Sequence, residues 1–85
     1  MSNITELNPV DGRKSFYGKA HVGRRANGNL VLLSYGTEVA ELVGNTVIRL
    51  WAGMTATTRR HVAAFLDFVG SDMTTREFAA LPVAA

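Results

Sequence analysis

Tyr17, Lys19 and His21 stand on alternate residues of one segment, and Arg49 and Trp51 on alternate residues of another. Side chains two apart along a strand point to the same side, so these five are expected to share one face of a sheet. Aromatic planes beside cations stack on bases and pair with phosphates, as in single-strand nucleic-acid binders. The same residue types are enriched at the centres of protein interfaces. The plain alternative is that Tyr17 and Trp51 pack against the N-terminal segment or a second copy of the chain. A second set is basic: residues 13–25 hold Arg13, Lys14, Lys19, Arg24 and Arg25 and no acid, whereas residues 26–85 carry four basic side chains against five acidic ones. Such a segment attracts phosphates, an anionic ligand or an acidic protein surface, or serves as a solvated loop that keeps a small protein soluble. A third set, Arg59 and Arg60, opens a predicted helix in its first turn, where the dipole disfavours cations. An anion held by these arginines with Thr57, Thr58 and the terminal amides reverses that cost. Pairing of one arginine with Asp67 or Glu38 accounts for them without a ligand.

Catalytic chemistry has no comparable foothold. His61 lies at the border of an apolar stripe and reads as a packed residue with one satisfied nitrogen. The two histidines share no metal-ligand spacing with a carboxylate, there is no cysteine, and neither a nucleophile elbow nor a glycine-rich phosphate cradle is present. No catalytic residue, metal or cofactor is therefore expected, and a domain this small scarcely makes a substrate cleft.

The elements that must position these residues are short and regularly punctuated. Residues 1–14, with Asn8-Pro9 and Asp11-Gly12, show no period and read as an extended N-terminal segment before a single domain over residues 15–85. Residues 15–22 alternate, with Phe16, Ala20 and Val22 on the apolar side. Residues 23–28, ending in Asn27-Gly28, read as a hairpin loop. The unbroken apolar run of residues 29–35 predicts a strand inside the sheet. Residues 38–43 form a weaker strand, Gly44-Asn45 a second turn, and residues 46–51 a fourth strand whose Ile48 and Leu50 face the core. The period then changes: Thr58, Val62, Phe65, Leu66 and Val69 make a helical stripe that Thr55 or Thr57 can cap and Gly70 ends. Thr74 with Glu77 three residues on predicts a capping box and a short second helix carrying Phe78 and Leu81. The fold class is α+β: a four-stranded antiparallel meander with one main C-terminal helix packed on one face and a short second helix or tail.

Composition agrees with one small globular unit. The chain has 85 residues, 47% of them hydrophobic, 19% charged, with a formal net charge of +2. That is apolar enough to fold, without a run of the roughly 20 apolar residues a membrane span needs. The absence of cysteine and of a basic-then-apolar leader fits a cytoplasmic protein.

The run from Ser15 to Ala20, Ser34-Tyr35 with Thr37 and Val39, Leu50-Trp51, and Ala56-Thr57-Thr58 with Arg60-His61 and Phe65 resemble a family of small proteins of unknown function encoded by bacteria, phages and other mobile elements. The resemblance covers about residues 15–70. It departs at Gly53-Met54-Thr55, where an aromatic residue is expected near the helix cap. It implies a short β-rich first half with a closing helix and assigns no catalytic residue. The genomic context it implies favours a non-enzymatic phage or prophage protein that inhibits a host defence system, such as an anti-CRISPR protein bound to a CRISPR effector in the host cytoplasm. A mildly basic chain argues against DNA mimicry and for occlusion of a surface. The alternatives are a nucleic-acid-binding accessory protein and a sponge for a nucleotide signal. A homodimer that buries Tyr17 and Trp51 is a further expectation.

Overall fold

The computed structural model describes residues 5–7 and 19–84. Its elements are β1 (Thr5–Glu6), β2 (Ala20–Arg24), β3 (Leu30–Ser34), β4 (Thr37–Val43), β5 (Thr46–Arg49), α1 (Ala56–Phe68) and α2 (Thr75–Ala79). The strands form one antiparallel sheet in the order β1-β2-β3-β4-β5, a meander with β3 at its centre. The α+β class, the four predicted strands and both helices are present. The short edge strand β1 is an addition: two residues carry no readable alternation. Arg13, Lys14, Phe16 and Tyr17 lie outside the described residues.

The helices cover one face of the sheet. Register fixes that face: Val22 pairs with Leu32, Leu32 with Ala40, and Leu42 with Val47. These residues join Leu7, Ala20, Val62, Ala64, Phe65, Leu66 and Phe78 in the core. A bulge between the pairs Leu32↔Ala40 and Leu33↔Glu38 leaves Val39 as an extra residue. Val39 and Ala40 are consequently both buried, and Glu38 and Glu41 both fall on the face away from the helices.

The same register reverses the expected orientation of β5. Val47 is in the core and Ile48 is only half-buried on the opposite side. Val47 and Ile48 are both β-branched and apolar, so composition did not favour one phase. A cation at position 49 made its side look solvent-facing, and pairing with β4 overrides that.

Local chemistry sets both helices. Thr55 caps α1, its hydroxyl accepting from the Thr58 N–H at 3.1 Å, an arrangement worth about 1 kcal/mol. The exit is a left-handed closure, with Gly70 at φ +72° and the Ser71 N–H donating to the Leu66 carbonyl at 2.9 Å. In α2 the capping box forms as predicted, Thr74 and Glu77 satisfying each other's backbone N–H groups. It seats Phe78 in the core beside α1.

Candidate binding surface

Of the five aromatic and cationic residues expected on one face, those described do not share it. His21 pairs with Leu33 on the side away from the helices, half-buried, and Lys19 is exposed just before β2. Arg49 pairs with Ala40 on the helix side, so its grouping with His21 is corrected. Its guanidinium is directed at the chain's own carbonyls: Nη1 donates to Ala79 (2.6 Å) and Leu81 (3.2 Å), Nη2 to Ala52 (2.7 Å) and Nε to Trp51 (3.1 Å). Its backbone oxygen accepts from Ala84. Arg49 is thus a clasp between β5, the loop before α1 and the end of α2. Trp51 lies beyond the strand, 39% exposed. One face of its indole lies so close to Gly53 that a Cβ there would stand 2.5 Å from Cη2, so the ring is seated on bare backbone.

The basic segment is similarly redistributed. Arg24 donates to the Gly28 carbonyl at 3.1 Å and closes its own loop. Arg25 pairs with Glu38 at 2.8 Å and Glu41 at 3.2 Å. The bulge in β4 brings those two carboxylates to one side, where Asn29 also donates to Glu41 at 2.8 Å. Arg25, expected as a phosphate contact, therefore already holds two carboxylates of its own chain. Arg59 and Arg60 are the fourth and fifth residues of α1, past the first turn, because the helix begins at Ala56. They line a shallow cleft.

The residue that sequence reasoning missed is Tyr35. It occupies the first position of the two-residue turn between β3 and β4, with φ +52° followed by Gly36 at +79°. This is the geometry of a type I′ hairpin, which favours Asn, Asp or Gly at that place. A tyrosine in the left-handed region is uncommon and costs about 1 kcal/mol. Yet the side chain remains 61% exposed, so burial recovers little of that cost. The signal was legible as two residues, Tyr35-Gly36, between two apolar runs.

Beneath Tyr35 lies His61, fully buried, its ring centroid 5.7 Å from that of Tyr35. His61 Nδ1 shares a 2.7 Å hydrogen bond with the Ser34 hydroxyl. Burial first, and the charge of Arg60 second, hold the imidazole below its ordinary pKa of 6.5, so it is neutral at neutral pH. A serine–histidine pair at this distance is the geometry that activates a nucleophile. Here both groups are buried and the contact instead ties α1 to the hairpin under the aromatic ring.

One end of the sheet gathers Tyr35, His61 and Trp51. The Tyr35 N–H donates to the Lys19 carbonyl and the Leu50 N–H to the Val39 carbonyl, both at 2.8 Å. Lys19, Tyr35 and Trp51 therefore stand at the same end as the early turns of α1. Lys19, Ser34, Tyr35, Leu50 and His61, one or more from each of the four blocks that carry the sequence resemblance, lie there. Among the described residues no group of three metal-ligating side chains forms, and no helix is long and apolar enough to cross a membrane. No curated protein and no solved structure matches the chain. A family model does match, over residues 5–80, and the chain belongs to that family, the family of unknown function DUF8033.

Proposed function

We propose that the chain is a non-enzymatic binding protein whose working surface is the sheet end bearing Tyr35 and Trp51, with a protein as its partner. The observation that carries this reading is Tyr35, held exposed in a conformation that a smaller residue adopts at less cost. Rigidly seated aromatic rings are the usual anchors of protein interfaces, because little side-chain freedom remains to be lost on binding. Trp51 on Gly53 adds a second such ring at the same end. In the phage or prophage setting that the sequence resemblance implies, a module of this kind acts as an anti-defence inhibitor of the anti-CRISPR type, covering a surface its target needs.

The test compares capture from a bacterial host lysate by the wild-type chain, Tyr35→Asn and Trp51→Ala. A protein held by the wild type and lost from both variants, each still folded, supports the reading. Equal capture by all three overturns it. A nucleic-acid partner is the second reading, favoured by exposed Lys19 at the same end. It is recognised by a steep loss of affinity with added salt, which an apolar protein interface lacks.

A further inference from the structure

The cleft on the outer side of α1 is separate from the aromatic surface and carries different chemistry. Its volume is about 450 Å³, and it is lined by Ala56, Arg59, Arg60 and Ala63 of α1 and by Thr75 of α2. The four α1 residues follow the spacing i, i+3, i+4, i+7, a single stripe along the helix. The buried residues of the helix are Thr58, His61, Val62, Ala64, Phe65 and Leu66, so the stripe lies off the side that faces the core. Arg59, Arg60 and Thr75 bring two cations and a hydroxyl to its lining, which includes no carboxylate among the described residues. Ala56 and Ala63 bracket the arginines with methyl groups, leaving room a longer side chain would fill.

Guanidinium groups present planar pairs of N–H donors that match phosphate oxygens better than any other side chain. A space of this size lies within the range of small-ligand sites. We infer that the cleft between α1 and α2 binds a small phosphate-bearing ligand, a nucleotide or pyrophosphate, through Arg59 and Arg60 with the Thr75 hydroxyl as a further partner. Arg60 connects the cleft to the aromatic end: its charge also acts on His61. A phosphate bound at Arg60 offsets that charge and moves the His61 pKa upward.

The experiment is a nuclear magnetic resonance titration of the full ¹⁵N-labelled chain with pyrophosphate, AMP and adenosine. Saturable shifts at Arg59, Ala63 and Thr75 amides are expected with pyrophosphate and AMP, and none with adenosine. Equal affinity for the two phosphates assigns the binding to phosphate alone; tighter AMP binding adds a contact to the nucleoside. Arg59→Gln removes one cation from an exposed position, and Ala63→Leu fills the cleft while keeping both arginines. Each should weaken binding by about tenfold or more, or about 1.4 kcal/mol. Shifts that fail to saturate, that follow adenosine as well as AMP, or that persist unchanged in Ala63→Leu overturn the inference, the last because it marks diffuse attraction to surface charge. Tyr35→Asn leaves this binding intact, so its result is independent of the fate of the partner surface.

Discussion

The two ends of the sheet meet the same geometric demand in different ways. At the end formed by the loops after β2 and β4, turns needing positive φ are made by glycines, Gly28 at +93° and Gly44 at +62°. Asn27 there supports the loop by accepting from the Asn29 N–H at 2.9 Å. Cations at that end are engaged too, Arg24 donating to a carbonyl of its own loop and Arg25 paired with two carboxylates. At the opposite end the same positive φ falls on Tyr35, Lys19 stands exposed, and the Trp51 indole is held over Gly53 with much of it in solvent. Where local preference is obeyed and charges are paired, the chain is scaffold. Where it departs from preference and leaves the departing side chain exposed, stability alone does not explain the choice.

The largest effect expected lies at the clasp that supports the aromatic end. Arg49→Ala leaves the carbonyls of Trp51, Ala52, Ala79 and Leu81 without their donor and should lower stability by about 2–4 kcal/mol in urea unfolding. A loss under about 0.5 kcal/mol would return Arg49 to the solvated surface. Next, Tyr35→Asn should be more stable than Tyr35→Ala by about 1 kcal/mol, because asparagine tolerates the left-handed region and alanine does not. Equal thermal midpoints would remove the strain on which the contrast between the ends rests. At the scaffold end, Gly28→Ala should cost about 1 kcal/mol through its backbone alone, since the space around it is open. It should leave partner binding unchanged.

The smallest effect is that of pH. His61 is held below 6.5 in the fold, so between that folded value and 6.5 the unfolded chain binds a proton that the native chain does not. The contribution is complete above about pH 6.5 and is lost as pH falls toward the folded value. Protonation meets resistance from the apolar packing of α1 and from Arg60, and it changes the bond to Ser34. Stability measured from pH 7.5 down to 5 should decline in the wild type, and His61→Gln should lack that part of the slope. A wild-type profile identical to that of the variant would show that the imidazole is not shielded.

Much of the scaffold was legible because it rests on short-range rules. The two-residue periodicity, the Asn-Gly loop, the Thr58–Val69 stripe and the Thr74–Glu77 box each contain their own instruction within a few residues. The candidate surface was less legible because its parts depend on pairing. Whether Arg49 faces helix or solvent is decided by the register between β4 and β5, and a bulge at Val39 shifts the phase along β4 in a way that no local pattern announces. Trp51 was identified by residue type, but its seat on Gly53 comes from a loop conformation. Tyr35 lay within an apolar run that looked like strand, although its neighbour Gly36 already marked a turn.

The clasp at Arg49 has a consequence for the order of folding. Successive strands of the meander are joined by short loops, so their contacts close little chain and form early. The bonds from Arg49 to Ala79 and Leu81 span 30 and 32 residues and wait for α1 and α2 to dock. Interactions made after the barrier change the rate of escape from the native state and leave the rate of reaching it nearly alone. Truncation at Arg49 should therefore steepen loss from the native side, with faster unfolding and unchanged refolding, so that this one side chain governs the lifetime of the folded state.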